Sequence, residues 1–424
     1  STGGVFEYSD AYNASVGNQL FNSANNSQSV SRDFRINSSV TYKFGNTNNN
    51  DKNKSQSLIS NAFFKFLASY ERSTGITQSA VHKQNFFNYG YVGKFERTFL
   101  EQDFAYNYAY TPSYVYNGQA VNAYTYTGRQ ELPVKFTPAD INTDAGLYTS
   151  YLISQSNPNA ISLGYLNANN GMINGSYPSS IYSLYNNFGA YPNFYSTSTL
   201  AQFRIASSFN ADVKSHALTI GLEYDQRVSS YYTLNSTELW NRMRLITNLH
   251  TQEIDKSNPH LNENLSGLIP YYYFDYQYQK DKQTQFSERL LDKLGLPRND
   301  TRFINTDGLD PSTFSMDMFS AQDLLGTTSS DNLISYAGYS PQGKVSKGKI
   351  NISDFLDSKD DAGRNLFPIG SFQPIYSSVY IMDKFDFKDI KFLVGLRVDR
   401  YDANQPVLKD KYSLHELATV SDLS

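Results

Sequence analysis

Four groups of residues in this sequence have types and spacings that could support chemistry. Residues Asn305 to Asp310 space oxygen atoms as a calcium loop does, but the bidentate glutamate at loop position 12 is missing. An Asp-Gly turn is the simpler interpretation, and a Ca²⁺ ion in this loop is the alternative. The neighbouring carboxylates Asp357, Asp360 and Asp361 could bind a cation or form an exposed acidic turn.

The other two groups, the histidines and a run of aromatic residues, give no catalytic arrangement. The five histidines never recur four residues apart, and neither a serine elbow nor a phosphate-cradling glycine loop is present. The chain has no cysteine, which excludes thiolate metal sites and cysteine nucleophiles. We therefore expect no enzyme and no resident cofactor. An aromatic run could contact a sugar or a partner protein, or could only pack loops on one another; it comprises Tyr271, Tyr272, Tyr273, Tyr276 and Tyr278.

Composition limits the class of protein that carries these residues. Aromatic residues make up 15% of the chain, and disordered chains lack such a content. The formal net charge is −4, so no basic surface predicts binding to nucleic acid. No stretch reaches the ~18 consecutive apolar residues of a membrane helix. The chain is either soluble or crosses a membrane as β-strands, in which apolar residues occupy alternate positions.

Alternation of apolar and polar residues is the clearest pattern in the chain. Residues 203–224 predict a β-hairpin that turns at Lys214, and residues 390–401 repeat the pattern. These arms exceed the ~5–6 residues of an average sandwich strand, although a soluble sandwich is the alternative. On the polar face, Glu223 is expected to tolerate substitution. The residues predicted to face lipid are Phe203, Ile205, Phe209, Leu218, Ile220, Leu222, Tyr224, Ile390, Phe392, Val394 and Leu396.

Tight turns and long connections assign a direction to each predicted strand. Turns at Lys214 and Lys388 are placed on the periplasmic side, together with the Asn-rich residues 45–57. Two long extracellular excursions then follow, over about 112–200 and 232–374, and helices are predicted near 239–249 and 287–296. The nine expected strands lie at about 5–12, 34–44, 64–70, 86–97, 104–110, 201–213, 218–231, 375–387 and 390–401.

The C-terminal part of the chain carries a family resemblance. Residues 317–325, 372–376 and 383–389, with the strand Arg397-Val398-Asp399-Arg400-Tyr401, resemble the barrel region of TonB-dependent receptors from Bacteroidota outer membranes. The resemblance implies an all-β fold, an antiparallel transmembrane β-barrel of the 22-stranded type. Residues 1–424 would cover roughly half of it as a partial barrel, with long extracellular loops that contain short helices. The family's plug domain is not present in this sequence.

The resemblance implies a protein of the cell outer membrane with one of two roles. The first is a receptor for substrate uptake across the outer membrane, with TonB as partner if a TonB box lies upstream. The second is a non-transporting structural subunit of a larger outer-membrane complex, in contact with a surface lipoprotein or another barrel. Outer-membrane lipid is a partner in both roles. About nine strands with two free edges also predict a longer chain, because unpaired backbone groups in lipid are costly.

Overall fold

The structure is a computed structural model that is dominated by antiparallel β-sheet. It has 43% of its residues in strands and 23% in helices, which confirms the predicted antiparallel β architecture. No helix among the described residues is long and apolar enough to cross a membrane. The residues that the structure describes are 1–14, 23–44, 59–105, 114–116, 118–121, 125–169, 171–176, 191–255, 257–258, 260–262, 271–326, 331–346, 348–407 and 413.

Seven long strands form one sheet, which we call the main sheet. Each strand pairs antiparallel with the next along the chain, and a short strand, β6, extends the sheet beside the end of β5. The strands are β1 (Thr2–Asn13), β2 (Ser27–Lys43), β3 (Ile59–Ser79), β4 (Tyr195–Val213), β5 (His216–Leu234), β6 (Ile334–Ala337), β7 (Ile375–Phe387) and β8 (Ile390–Asp402).

The long connections contain short elements of their own. The helices are α1 (Thr143–Gln155), α2 (Leu163–Ala168), α3 (Leu239–Ile246), α4 (Gln285–Leu294), α5 (Ala321–Leu325) and α6 (Ile352–Asp357). Five two-stranded ladders pair Gly93–Glu96 with Lys135–Pro138, Phe99–Ala105 with Thr125–Glu131, Tyr114–Tyr116 with Gln119–Val121, Glu253–Ile254 with Tyr276–Gln277, and His260–Asn262 with Tyr271–Tyr273.

Two predicted strands are wrong, because β3 pairs directly with β4. Residues 86–97 contain a 3-10 turn, Phe86–Asn88, and only the short strand Gly93–Glu96. Tyr89, Tyr91 and Val92 are all buried there, so this segment packs into a core instead of alternating between two faces. The second predicted strand is replaced by Phe99–Ala105, and residues 106–110 lie outside the described residues. The two wrong strands were consecutive and ran in opposite directions. Removing both of them therefore leaves the predicted directions of the remaining strands unchanged.

The two ends of the main sheet differ in the length of their connections. At one end, which we call the turn end, β4 joins β5 and β7 joins β8 through two-residue turns. Lys214 and Lys388 open these turns with φ values of 56° and 54°. The Asn-rich residues 45–57 also connect strands at this end, and they lie outside the described residues. The connections 80–194 and 235–374 both leave the opposite end, which we call the loop end.

The two long connections pack against each other as a single body with its own core. We call the described residues of 80–194 and 235–372 the loop body. Trp240 of α3 is fully buried, and its indole nitrogen donates to the backbone oxygen of Phe87 at 3.1 Å. Tyr232 and Leu234, at the end of β5, belong to the same core. The loop body is therefore fixed both across its two connections and onto the main sheet.

Local sequence explains where α4 begins and ends in this body. Thr284 caps α4 by accepting a hydrogen bond from the backbone nitrogen of Ser287 at 3.1 Å, and Gly295 ends the helix with a φ of 70°. Helix α4 buries Phe286, Leu290 and Leu291 on one side. Both predicted helices are present: α4 begins two residues before the predicted stretch 287–296, and α3 begins at Leu239 without a side-chain cap.

We expect Phe286→Ala to lower the unfolding free energy of the loop body by about 3–5 kcal/mol, because it removes a fully buried ring from the core. The ring centroid of Phe286 lies 4.5 Å from that of Phe319. Trp240 is the only tryptophan of the chain, so its fluorescence during urea unfolding reports this core directly. The control Leu245→Ala removes a side chain that is 66% exposed on α3 and should change little. Equal losses for both variants would contradict the described core.

Candidate functional site

One face of the main sheet is apolar and exposed. Residues directly opposite in an antiparallel ladder project to the same side of the sheet, so the pairing registers connect side chains into rows. One row crosses six strands through Tyr42, Phe64, Phe209, Ile220, Ile381 and Leu396. The next row contains Val40, Phe66, Ser207, Leu222, Val379 and Val398. We call this surface the apolar face.

The structure brings all eleven residues that were predicted to face lipid onto the apolar face. Ile205, Leu218 and Tyr224 are half-buried, and the other eight are exposed. Leu222, Val379 and Leu396 are 49%, 59% and 67% exposed. A water-facing sheet rarely leaves so large an apolar surface open, so such a surface indicates contact with lipid or with a partner protein. The contributions of β2, β3 and β7 to this face were not among the predicted residues.

Aromatic residues border the apolar face at both ends of the strands. Towards the loop end lie Phe34, Tyr70, Phe203 and Tyr224, while Tyr42, Phe44, Phe385 and Phe392 lie towards the turn end. The ten residue steps from Phe34 to Phe44 span about 34 Å along an antiparallel strand. A strand tilt of about 40° reduces this length to about 25 Å, the height of the apolar band of a membrane barrel.

The opposite face, which we call the polar face, carries a network of ion pairs. Glu223 of β5 accepts from Arg204 of β4 at 2.9 Å and from Arg397 of β8 at 3.1 Å. Arg397 also pairs with Asp399 at 2.9 Å, and it donates to the hydroxyl of Ser378 on β7 at 3.0 Å. Positive and negative charges therefore balance within the network. Sequence analysis missed it because it joins residues of four different strands.

Close packing between Gly221 and Tyr380 fixes the register of β5 and β7 on the polar face. The two residues are directly opposite, and a Cβ atom at Gly221 would lie 2.3 Å from the Cζ atom of Tyr380. The guanidinium carbon of Arg397 lies 5.7 Å from the centre of the Tyr380 ring. A glycine is therefore required at position 221, where the tyrosine ring covers the backbone of the neighbouring strand.

A cavity of about 610 Å³ opens on the polar face towards the loop end. This volume is in the range of small-molecule sites. Its wall combines aromatic rings with charged groups that are already paired, such as Arg204 with Glu223 and Arg227 with Asp225 at 3.7 Å. The cavity is suited to a polar ligand, whose apolar edges would pack against the aromatic rings of the wall. It is lined by Leu200, Arg204, Glu223, Asp225, Arg227, Ser229, Phe372, Pro374, Ile375, Tyr376 and Tyr401.

The residues of the calcium-loop pattern have other partners. Asp307 is fully buried, and its carboxylate accepts from Arg244 at 2.8 Å and from Asn174 at 3.1 Å. Burial raises the pKa of Asp307, whereas the neighbouring guanidinium of Arg244 acts in the opposite direction. Asp310 instead accepts from the backbone nitrogen of Ser312 at 3.0 Å. The loop is a 3-10 turn that ties the two connections together, as expected of an Asp-Gly turn.

The remaining candidate groups lie in the loop body. Tyr271–Tyr273 and Tyr276–Gln277 belong to two short ladders, and the hydroxyl of Tyr278 donates to Gln283 at 2.8 Å. Asp360 pairs with Arg364 at 2.8 Å. Across the described ranges, no group of three or more acidic, histidine or cysteine side chains could hold a metal ion.

We expect Glu223→Gln to lower the unfolding free energy by about 1–3 kcal/mol, because it weakens two charged hydrogen bonds that join three strands. This expectation differs from the tolerance predicted from sequence alone. Urea unfolding of the purified protein in detergent, followed by circular dichroism, measures the change. The matched control Glu96→Gln breaks an exposed pair with Lys135 and should cost less than about 0.5 kcal/mol. A Glu223→Gln variant as stable as this control would show that the network does not stabilise the sheet.

Comparisons with known proteins add no family to these observations. No protein-family model, no curated protein and no solved structure matches the chain. The features that bear on function are the two faces of the main sheet and the loop body at its loop end.

Proposed function

We propose that the main sheet is part of an outer-membrane β-barrel of the 22-stranded TonB-dependent receptor type, which takes up a substrate across the outer membrane. The apolar face contacts lipid, and the polar face lines the lumen. The loop body lies outside the cell. The observation that carries this proposal is the single apolar face, exposed on consecutive strands and opposite to a face of paired charges.

The exposure of the apolar face supports a membrane barrel over a soluble sandwich. In a sandwich, a second sheet covers the apolar face at a distance of about 10 Å. Here Val379 and Leu396 are more than half exposed at the centres of their strands. Lipid would cover such a face without a second sheet, and strands of this length suit a bilayer.

The edges of the main sheet fit the same proposal. Among the described residues, β1 pairs only with β2, and β8 pairs only with β7. Unpaired backbone groups cost several kcal/mol each in lipid, so a membrane sheet has to close on itself. In the proposed barrel, further strands pair with both edges.

The connections and the cavity assign roles to the two ends of the barrel. Outer-membrane barrels have short turns on the periplasmic side and long loops outside, which matches the turn end and the loop end. The cavity then lies on the lumen wall below the loop body, where a substrate entering from outside would meet it. Its paired charges and aromatic rings would contact the substrate first.

The structure of the loop body favours a second candidate, a structural subunit that does not transport. This body has its own buried core around Trp240 and Phe319. It also exposes Leu147 and Tyr151 one turn apart on α1. A folded body with exposed apolar residues suits contact with a surface lipoprotein or another barrel. A stable complex with another outer-membrane protein, purified without any ligand, would favour this role over uptake.

We expect Leu222→Arg to lower the unfolding free energy by about 2–4 kcal/mol in lipid vesicles, because the new charge lies on the lipid side near the middle of the strand. The matched control is Ala206→Arg, which places the same charge on the polar face opposite Glu223. That variant should change stability by less than about 1 kcal/mol. Urea titration of both variants in vesicles gives the comparison. If the two arginines cost the same, the apolar face does not meet lipid.

Single-cysteine labelling tests which end of the sheet is outside the cell. The chain has no cysteine, so one introduced residue is the only target of a membrane-impermeant maleimide. Val345→Cys, at a loop-body position that is 68% exposed, should label on intact cells. Lys388→Cys, at a tight turn, should label only after the outer membrane is permeabilised. The reverse pattern would overturn the assigned topology.

A further inference from the structure

Two arginines interrupt the apolar face at its loop-end border. On β2, Arg32 is the next residue on this face beyond Phe34, and on β3, Arg72 is the next beyond Tyr70. Both side chains are exposed. Phe34 is directly opposite Arg72, and Arg32 is opposite Thr74. The two arginines are therefore diagonal neighbours on adjacent strands, about 7–8 Å apart between Cα atoms.

These two arginines differ from those of the polar face in having no carboxylate partner. Arg35, Arg204 and Arg397 each pair with an acidic residue at 3.1 Å or less. Within the described part of the chain, neither Arg32 nor Arg72 forms an ion pair. The nearest acidic residue on their own face is Asp10, which accepts instead from Gln28 at 2.9 Å. Two like charges at this distance favour an anion between them.

The surroundings of the pair indicate what kind of anion it would hold. Tyr8 of β1 lies opposite Arg32 and donates its hydroxyl to Asp10 at 3.3 Å, and Thr74 of β3 lies opposite Arg32 on the other side, two residues from Arg72. Towards the middle of the strand the same face continues through Ile36 and Val40, both exposed. A ligand that carries a phosphate and an acyl chain would fit this surface. Its phosphate would bind the guanidinium groups in a bidentate manner, and its acyl chain would cover the apolar residues.

We propose that Arg32 and Arg72 bind the phosphate of an acylated lipid at the outer border of the membrane, with its chain along Ile36 and Val40. This inference rests on the proposed function, because it requires the apolar face to contact lipid. The two arginines would form a specific site for a lipid headgroup, whereas the rest of the apolar face contacts only acyl chains. The site is on the outside of the barrel wall and is separate from the cavity on the polar face.

The test compares one lipid with and without its phosphates. The full-length protein is extracted from membranes in a neutral detergent and titrated with an acylated, bis-phosphorylated glucosamine disaccharide or with the same lipid after dephosphorylation. Native mass spectrometry counts the bound molecules. We expect at least tenfold tighter binding of the phosphorylated lipid, and we expect Arg32→Gln/Arg72→Gln to lose this preference.

Control variants and competitors make the result specific. Arg400→Gln removes another exposed arginine of the same face, which already pairs with Asp402 at 3.1 Å, and should keep the preference. Inorganic phosphate should compete only at far higher concentrations than the lipid. The proposal is overturned if the double variant keeps the preference, or if inorganic phosphate competes as well as the lipid and so identifies a site for free anions.

Locating the protein by membrane fractionation distinguishes failure of the lipid site from failure of the proposed barrel. A protein absent from the outer-membrane fraction would refute both the barrel and the lipid site. A protein that is found there, with the cost of Leu222→Arg as expected and no phosphate preference, would refute the lipid site alone.

Discussion

The strict alternation of side chains along extended strands is the constraint on which this structure depends. Because each residue projects to the side opposite its neighbour, one register assigns every side chain of the main sheet to one of two faces. A slip of one residue between β5 and β7 would move Leu222 and Val379 to opposite faces and would separate Gly221 from Tyr380. The packing of Tyr380 over the backbone of Gly221 holds this register, and the register keeps apolar and polar side chains on separate faces.

Besides the packing of Tyr380, shared ion pairs hold the strands together on the polar face. Glu223 lies between two arginines that come from β4 and β8, so a single carboxylate joins strands on both sides of β5. Such balanced charges leave no net charge to attract a counter-ion. In the proposed barrel they would keep the lumen wall polar without favouring one sign of charge. The cavity beside them gains its character from Phe372, Tyr376 and Tyr401 as much as from its charged groups.

The loop body is held together and joined to the main sheet by apolar packing and a small buried polar cluster. Tyr232 and Leu234 extend β5 into the aromatic core around Trp240, so the sheet and the loop body share one set of contacts. Asp307, held by Arg244 and Asn174, joins the two connections at a point from which water is excluded. In the proposed barrel, this packed body would form either the entrance for a substrate or the surface for a partner protein.

By itself, the sequence determined the features that depend on local periodicity. Alternation in 203–224 and 390–401 predicted the hairpins and the face of all eleven residues, and the helical stretches near 239–249 and 287–296 predicted α3 and α4. Only the tertiary structure decided that residues 86–97 leave the sheet, because burial of Tyr91 against Trp240 depends on a contact far along the chain. Partners such as Glu223 and Arg397, 174 residues apart, are likewise set by strand order. Local pattern fixes which way a side chain points, whereas its partner depends on which strands the fold places beside it.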